Sequence, residues 1–509
     1  MTGIVDHDGG GAGAIPAAGQ APTGAFTQRF SLDGTIAPPA SRFPGLSRLL
    51  DTAAMIGNGE PLTVRCGRVL SVGQNSVIVE GLSRWCGLGD TLSVGSGKAA
   101  WRAQIIAANP ETVTAKPMTT SVNAKVGDPV RLLGPIVLRP SSAWKGRVLD
   151  ALGEPLDGGG PIAPGIEALN PYRPAPDAMK RSRISQRAVT GVRTMDLFVP
   201  VCHGQRIGIF GGAGTGKSQL LSLLVNTEGF DTVVVGLIGE RGREVREFVE
   251  DRLGEHGRNA TVIASTGDEA PSLRILAANA AMLAAEYFRD RGDRVLLIID
   301  SLTRFAHAVR EVGLAAGEMP VVRGHTTLLY SSLQNLLERA GPGENGGTIT
   351  GIFSVLVDGD DHNEPVADAV RGILDGHVVL DRSIAAMGRF PAINIPMSLS
   401  RLSDVAFDER KQRLMREARR LISTYEQADE MRRLGGYVPG ADEFVDTALR
   451  LVPQIYAGLT QDGKTNPASD RDPFDWLEEI VAASANPGQA AKSGQEQKPA
   501  DPIALQGQV

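Results

Sequence analysis

Short Val-rich runs at 63–72, 76–79, 90–94 and 112–115 are separated by Gly, Asn and Asp turns. Apolar residues that alternate with polar ones over so few positions predict a small antiparallel barrel or sandwich. From about Ile136 to Arg401 the pattern changes to continuous apolar runs at 205–210, 232–238, 261–264, 294–299 and 349–357, with helical segments between them. Strands buried on both faces read this way, so a parallel sheet covered by helices is expected. After Asp408 the period becomes helical, with Leu414, Ala418, Leu421, Ile422, Tyr425 and Ala428 on one face. The run from Gly435 to Gly440 ends that helix, and a second is expected over 442–456. Near the start, Phe43, Leu46, Leu49, Leu50 and Ala53 give one stripe at helical spacing over 43–56. Such a helix packs on its own protein or docks on a partner, and the stripe alone is compatible with both.

Composition adjusts this picture at its margins. Residues 1–39, and those from about 482 onward, are rich in Gly, Ala, Pro and Gln and offer little to bury, so flexible tails are expected there. The chain of 509 residues is too long for one core, and its net charge of −6 weighs against a protein built to coat polyanions. No secretory signal is expected at the start, and no window holds the eighteen or so apolar residues of a membrane span. Cys66, Cys86 and Cys202 are odd in number and unpaired in spacing, which suggests neither a disulfide framework nor a zinc site and fits a reducing cytoplasm.

The strongest chemical signal is Gly211-Gly212-Ala213-Gly214-Thr215-Gly216-Lys217-Ser218, which matches G-x-x-x-x-G-K-[ST] between an apolar strand and an amphipathic segment. Glycines let successive N–H groups turn inward around phosphates, Lys217 reaches the outer phosphates, and Ser218 is placed to ligate magnesium. The run 295–299 delivers Asp300 to a strand end, where ligands of open sheets bind and where a carboxylate completes the magnesium shell through water. A strand-ending Asp also serves as a turn or cap, and it is the phosphate loop beside it that favours the functional reading. Hydrolysis further needs a group that orients water, and Glu240 is the candidate; its alternative is a surface carboxylate paired with Arg241 or Arg243. The acidic stretch 358–364 lacks calcium-loop spacing and is expected to be a strand-to-loop segment.

Several motifs carry a family likeness over about residues 60–460. They are Gly146-Arg147-Val148-Leu149-Asp150, the phosphate loop, Gly239-Glu240-Arg241-Gly242-Arg243, Asp300-Ser301-Leu302-Thr303-Arg304-Phe305, Leu337-Glu338-Arg339-Ala340-Gly341 and Ile373-Leu374-Asp375-Gly376-His377. On these residues the chain resembles the catalytic ATPases of type III protein export, most of all the flagellar one, relatives of the rotary ATP synthase catalytic subunit. The resemblance implies an α/β fold with a RecA-like P-loop NTPase core, an N-terminal small β-barrel and a C-terminal helical domain. The expected divisions are 1–58 for a leader with the candidate docking helix, 59–134 for the barrel, 135–405 for the core, 406–480 for the helices and 481–509 for the tail.

It further implies a homohexameric ring that hydrolyses ATP with Mg2+ at sites between neighbouring subunits. Glu240 then positions the attacking water, Lys217, Arg241 and Asp300 join it as catalytic residues, and Arg401 acts across the interface. The loop 211–218, Gln219 and Phe390 hold the nucleotide, Phe390 standing where the family usually carries Tyr against adenine. The implied partners are a stator-like regulator on the N-terminal helix, a central coiled-coil stalk protein, an export gate at the inner membrane, chaperones and secreted substrates. The segment from Arg323 to Tyr330 departs from the family pattern, and an injectisome ATPase, a rotary synthase subunit and an RNA-translocating hexameric helicase are the other readings. The last needs aromatic platforms beside basic residues, but the barrel region offers only Trp85 and Trp101, so no nucleic acid is expected.

Overall fold

In the computed structural model the described residues are 64–482, apart from 121, 254–256, 258, 358–363 and 462–471. The 43–56 stripe, most of the acidic stretch and the two tails lie outside them.

The first strands are β1 (Cys66–Val72), β2 (Val77–Glu80), β3 (Thr91–Val94), β4 (Trp101–Ala108), β5 (Thr112–Pro117) and β6 (Pro129–Gly134). They close as a barrel in the order β1-β2-β5-β4-β3-β6, which resolves the choice between barrel and sandwich. Closure removes the exposed strand edges a sandwich would leave. Alternation is clean where the sequence reads clearly: Val77 and Val79 are fully buried and Ile78 between them is not. Strands β4 and β6 are not foreseen from the sequence. In β4 the residues are small, and a register shift between Ile105 and Ala107 breaks the period, while β6 opens on a proline and buries only Val130 fully.

The main sheet follows. Its strands are β7 (Val148–Leu149), β10 (Arg206–Gly211), β11 (Thr232–Glu240), β12 (Ala260–Thr266), β13 (Arg294–Asp300), β14 (Gly341–Pro342), β15 (Thr348–Leu356), β16 (Gly376–Val379) and β17 (Leu399–Ser400). The intervening β8 (Arg187–Ala188) and β9 (Val201–Cys202) form a separate two-stranded pair. The sheet order is β17-β16-β10-β15-β13-β11-β12-β7, parallel except for β17 and for β14, which pairs β15 from the side. All five strands expected from continuous apolar runs are present within one or two residues.

One face of the sheet buries Val234, Ile263, Leu297 and Phe353 against the helices Pro271–Arg289 and Leu302–Ala315. The other buries Ile207, Val235 and Ile298 in a core that continues into the C-terminal helices Glu409–Arg433, Glu443–Leu459 and Pro473–Ala482. The predicted stripe of the first of these is its buried face: Ala418 and Ile422 are fully enclosed and Tyr425 packs at the margin. Asp408 and Asp442 cap two of these helices by accepting from the first-turn N–H groups of Lys411 and Phe444. The C-terminal helices therefore share one core with the nucleotide-bearing sheet.

Candidate nucleotide site

The phosphate loop begins where buried β10 ends. Gly214 and Gly216 adopt φ of 80° and 85°, in the left-handed region that glycine enters without strain. Thr215 Oγ1 donates to Gly212 O at 3.0 Å and closes the turn, which leads into the helix Lys217–Val225. No side chain caps that helix, so its first N–H groups are left to an anion.

Lys217 and Asp300 lie 83 residues apart in sequence, yet Lys217 Nζ donates to Asp300 Oδ1 at 2.7 Å, both side chains largely buried. Ser354, on β15, donates to the same carboxylate oxygen and accepts from Lys217 Nζ at 3.4 Å. Sequence reasoning missed Ser354; its one signal is a hydroxyl inside the otherwise apolar run Ile352-Phe353-Ser354-Val355.

Glu240 reaches the same place from β11. The pairing of β11 with β12 slips between Ile238 and Glu240, and Gly239 in this bulge has φ 71°. A bulge re-aims the next side chain. Glu240 thereby lines an open pocket of about 390 Å³ together with Ser218 and Asp300. Its Oε1 is buried with no hydrogen-bond partner among the described residues. Burial first, then the Asp300 charge and the neighbouring Glu244 carboxyl, raise the Glu240 pKa to about 7. A carboxylate with an unused buried acceptor and a pKa near neutrality is suited to hold and polarise a water.

The same geometry makes Gly239 a sensitive position. A Cβ there would sit 2.9 Å from the Cβ of Arg304. Gly239→Ala is expected to cost about 1–3 kcal/mol of stability through left-handed strain and this clash. Turnover should fall more than ATP affinity, because Glu240 shifts while the phosphate loop does not. Thermal melts and ATP titrations of the variant check this, and unaltered turnover would refute the role given to the bulge.

The other expected site residues are placed as follows. Ser218 is exposed at the pocket wall. A Cβ on Gly216 would touch the Phe390 ring at 3.5 Å and approach Gln219 Oε1 at 3.9 Å, so Phe390 and Gln219 flank the start of the helix. Phe390 is held from the C-terminal region by Gln461, whose N–H donates to Phe390 O at 2.7 Å. Arg382, which the sequence reading passed over, donates to Ala213 O at the tip of the phosphate loop at 3.3 Å. Arg241 is 79% exposed and pairs with Glu244 at 3.6 Å.

Arg401 is not brought to this site. It follows β17 at the sheet edge, and its N–H donates to Asp375 O, beside the first residue of β10. The phosphate loop lies at the other end of β10, about 17 Å away along the strand. The Arg401 side chain is exposed and makes no hydrogen bond or ion pair among the described residues.

Among the described residues no three His, Cys, Asp or Glu side chains cluster as a metal cage. Magnesium does not require one, since it keeps several waters and takes one or two protein donors beside substrate phosphates. The Ser218 hydroxyl and the Asp300 carboxylate on one pocket wall fit that demand.

Residues 191–400 match the model of the ATP synthase alpha/beta family nucleotide-binding domain, and residues 407–478 match the T3SS EscN ATPase C-terminal domain. The flagellum-specific ATP synthase of Agrobacterium fabrum is 45% identical over 419 residues, covering 82% of this chain and 89% of that protein. That of Bacillus subtilis is 41% identical over 391 residues, or 76% and 86% of the two chains. Among solved structures, the assembled ATPase EscN of the enteropathogenic E. coli type III secretion system superposes with a TM-score of 0.76 at 35% identity, covering 82% of this chain and 100% of that one. EscN in complex with its central stalk EscO gives 0.73 at 33% identity, with the same coverage. A nucleotide-binding core of the synthase type joined to an export-type C-terminal domain, with close flagellum-specific relatives, leaves one conclusion: the chain belongs to the type III protein-export ATPases of the ATP synthase alpha/beta family, alongside the flagellum-specific members.

Proposed function

We propose that this chain hydrolyses ATP as a subunit of a homohexameric ring that energises flagellar protein export. The observation that carries the reading is the convergence of Lys217, Asp300 and Glu240 on one end of the sheet, beside a phosphate loop.

In this reading the loop N–H groups and Lys217 bind the β- and γ-phosphates. Lys217 exchanges its contact with Asp300 for phosphate oxygens, and Ser354 keeps Asp300 oriented while it does so. Ser218, and Asp300 through water, would hold magnesium, which would supply positive charge to balance that building on the phosphates. Glu240 accepts a hydrogen bond from the attacking water at Oε1 and holds it in line with the γ-phosphate. Phe390 covers adenine. Arg401 of each subunit serves its neighbour's site, since its own lies at the far end of β10. Arg241, exposed beside Glu240, joins the site from the subunit interface.

The assembled state of EscN and its complex with a central stalk support a ring with a stalk protein at its centre. The 43–56 stripe is the docking site proposed for a stator-like regulator, and chaperones, secreted substrates and an export gate are the further partners. No helix among the described residues is long and apolar enough to cross a membrane, so the cytoplasmic ring is taken to attach peripherally at the inner membrane through those partners.

The test is export itself. A chromosomal deletion should stop release of hook and filament subunits into the medium, and the full-length chain should restore it. Normal flagellar export in the deletion strain would overturn the flagellar assignment in favour of an injectisome role.

A further inference from the structure

The segment that leads into β17 and Arg401 is gripped from the C-terminal helices by Arg419. Arg419, on the helix Glu409–Arg433, donates from Nη1 to Ile395 O at 2.8 Å and from Nη2 to Ser398 O at 3.0 Å and to Phe198 O at 2.7 Å. Two of these carbonyls belong to the segment that runs into Arg401. A planar guanidinium can span three such acceptors, which the compact ammonium of lysine cannot.

Arg419 has no carboxylate partner among the described residues, and burial lowers its pKa to about 10. It is still cationic at neutral pH, held by carbonyl dipoles and by the Phe198 ring, whose centroid is 5.8 Å from the guanidinium carbon. Stability by itself is poorly served by a half-buried charge without a counter-charge, whereas fixed geometry is served well.

The rest of the segment is fixed in the same manner. Ser398 Oγ donates to Asn394 O and accepts from Val379 N, while Ser400 Oγ accepts from Gln205 Nε2 and donates to Pro200 O. Ser398 and Ser400 are tied to the body of the subunit by their side chains and Leu399 by strand pairing with His377, while the next side chain, Arg401, makes no hydrogen bond or ion pair among the described residues.

We infer that Arg419 is a positioning residue for Arg401: it sets the strand from which Arg401 reaches the neighbouring subunit's phosphates, and so makes that reach depend on the C-terminal helices. The inference rests on Arg401 acting across the interface.

Subunit mixing separates the two ideas. Full-length Arg419→Gln should bind mant-ATP within about twofold of the unmodified chain yet turn over about 10- to 100-fold more slowly, the cost of a misplacement on the order of 1 Å. Co-assembled at equal amounts with Glu240→Gln subunits, it should regain activity, because about a quarter of the interfaces in such a ring pair an intact Glu240 with a correctly set arginine. Mixed with Arg401→Ala it should regain none, since both defects then sit on the same side of the interface. A role confined to the subunit's own site would give the reverse pattern.

The control is Arg401→Ala mixed with Glu240→Gln. If that pair fails to recover, the trans role of Arg401 is wrong; if it recovers while Arg419→Gln with Glu240→Gln does not, only the positioning role falls. Undiminished turnover of Arg419→Gln also overturns it. Should the glutamine variant not fold, Arg419→Lys, which keeps the charge and loses the fork, is read in the same scheme.

Discussion

Arg401→Ala is expected to keep ATP binding at every subunit and to lose about 10³-fold or more in turnover. The size of the effect is that of an arginine supplied across an interface to a transferring phosphoryl group. The location of the residue explains the split. Its backbone is anchored next to Asp375 at the start of β10, whereas the ATP-binding loop leaves the end of β10, so the variant is expected to leave the subunit's own phosphate loop as it is. The exposed side chain makes no ion pair among the described residues, so little stability is lost with it. Equilibrium binding of mant-ATP and steady-state hydrolysis above the assembly concentration measure the two halves. Weakened binding at unchanged turnover would sink the assignment. The same logic predicts that turnover per subunit of the unmodified chain rises with protein concentration, since on the proposed trans role of Arg401 a lone subunit holds half a site.

Glu240→Gln is expected to lower hydrolysis by about 10²–10⁴-fold and to leave ATP bound, the range for losing a positioned proton acceptor. The amide keeps the shape and removes the charge that Asp300 and burial disfavour. The pH dependence follows from the raised pKa. Below about 7 the Glu240 carboxyl is protonated in the free subunit and loses the negative charge that makes it a base toward water, so kcat/KM should fall as pH drops through that value. The Gln variant should lack this limb. Stability runs in the opposite sense. A carboxyl whose folded pKa lies above its unfolded value contributes stability that is complete below the unfolded pKa and is lost as pH rises through about 7. The Gln variant, which cannot ionise, should therefore melt higher than the unmodified chain at pH 8, with the gap narrowing toward pH 5. A kcat/KM profile for the unmodified chain that is flat from pH 6 to 8 would remove Glu240 as the group that orients water.

The phosphate loop and the five apolar strands could be read directly from the chain, because each depends on neighbours within a few residues: the glycines at 214 and 216 impose their own backbone, and 295–299 is apolar at every position. Asp300 and Glu240 were legible as strand ends. What brings them to one pocket, the bulge at Gly239, was legible only as a glycine. The two-residue strands β7 and β17 escaped notice because two residues carry no period, and β4 because small residues blur the alternation of a barrel wall. The resemblance named Arg241 among the catalytic residues and gave Arg401 a role across the interface. In the fold they differ, one paired with Glu244 at the start of a short exposed helix beside the pocket and the other fixed at the far edge of the sheet.

By itself, then, the sequence determined the nucleotide-binding loop, the alternation of strand and helix that builds the core, and the helical stripe after Asp408. Each is local, set by backbone geometry and by the period at which apolar side chains recur. Only the tertiary structure decided that Lys217, Asp300 and Ser354 form one buried cluster, that Glu240 keeps an unused acceptor over the pocket, and that Arg419 grips the strand before Arg401. These are hydrogen bonds and charges between segments far apart in the chain, and their energies depend on burial and on angles that no local pattern encodes.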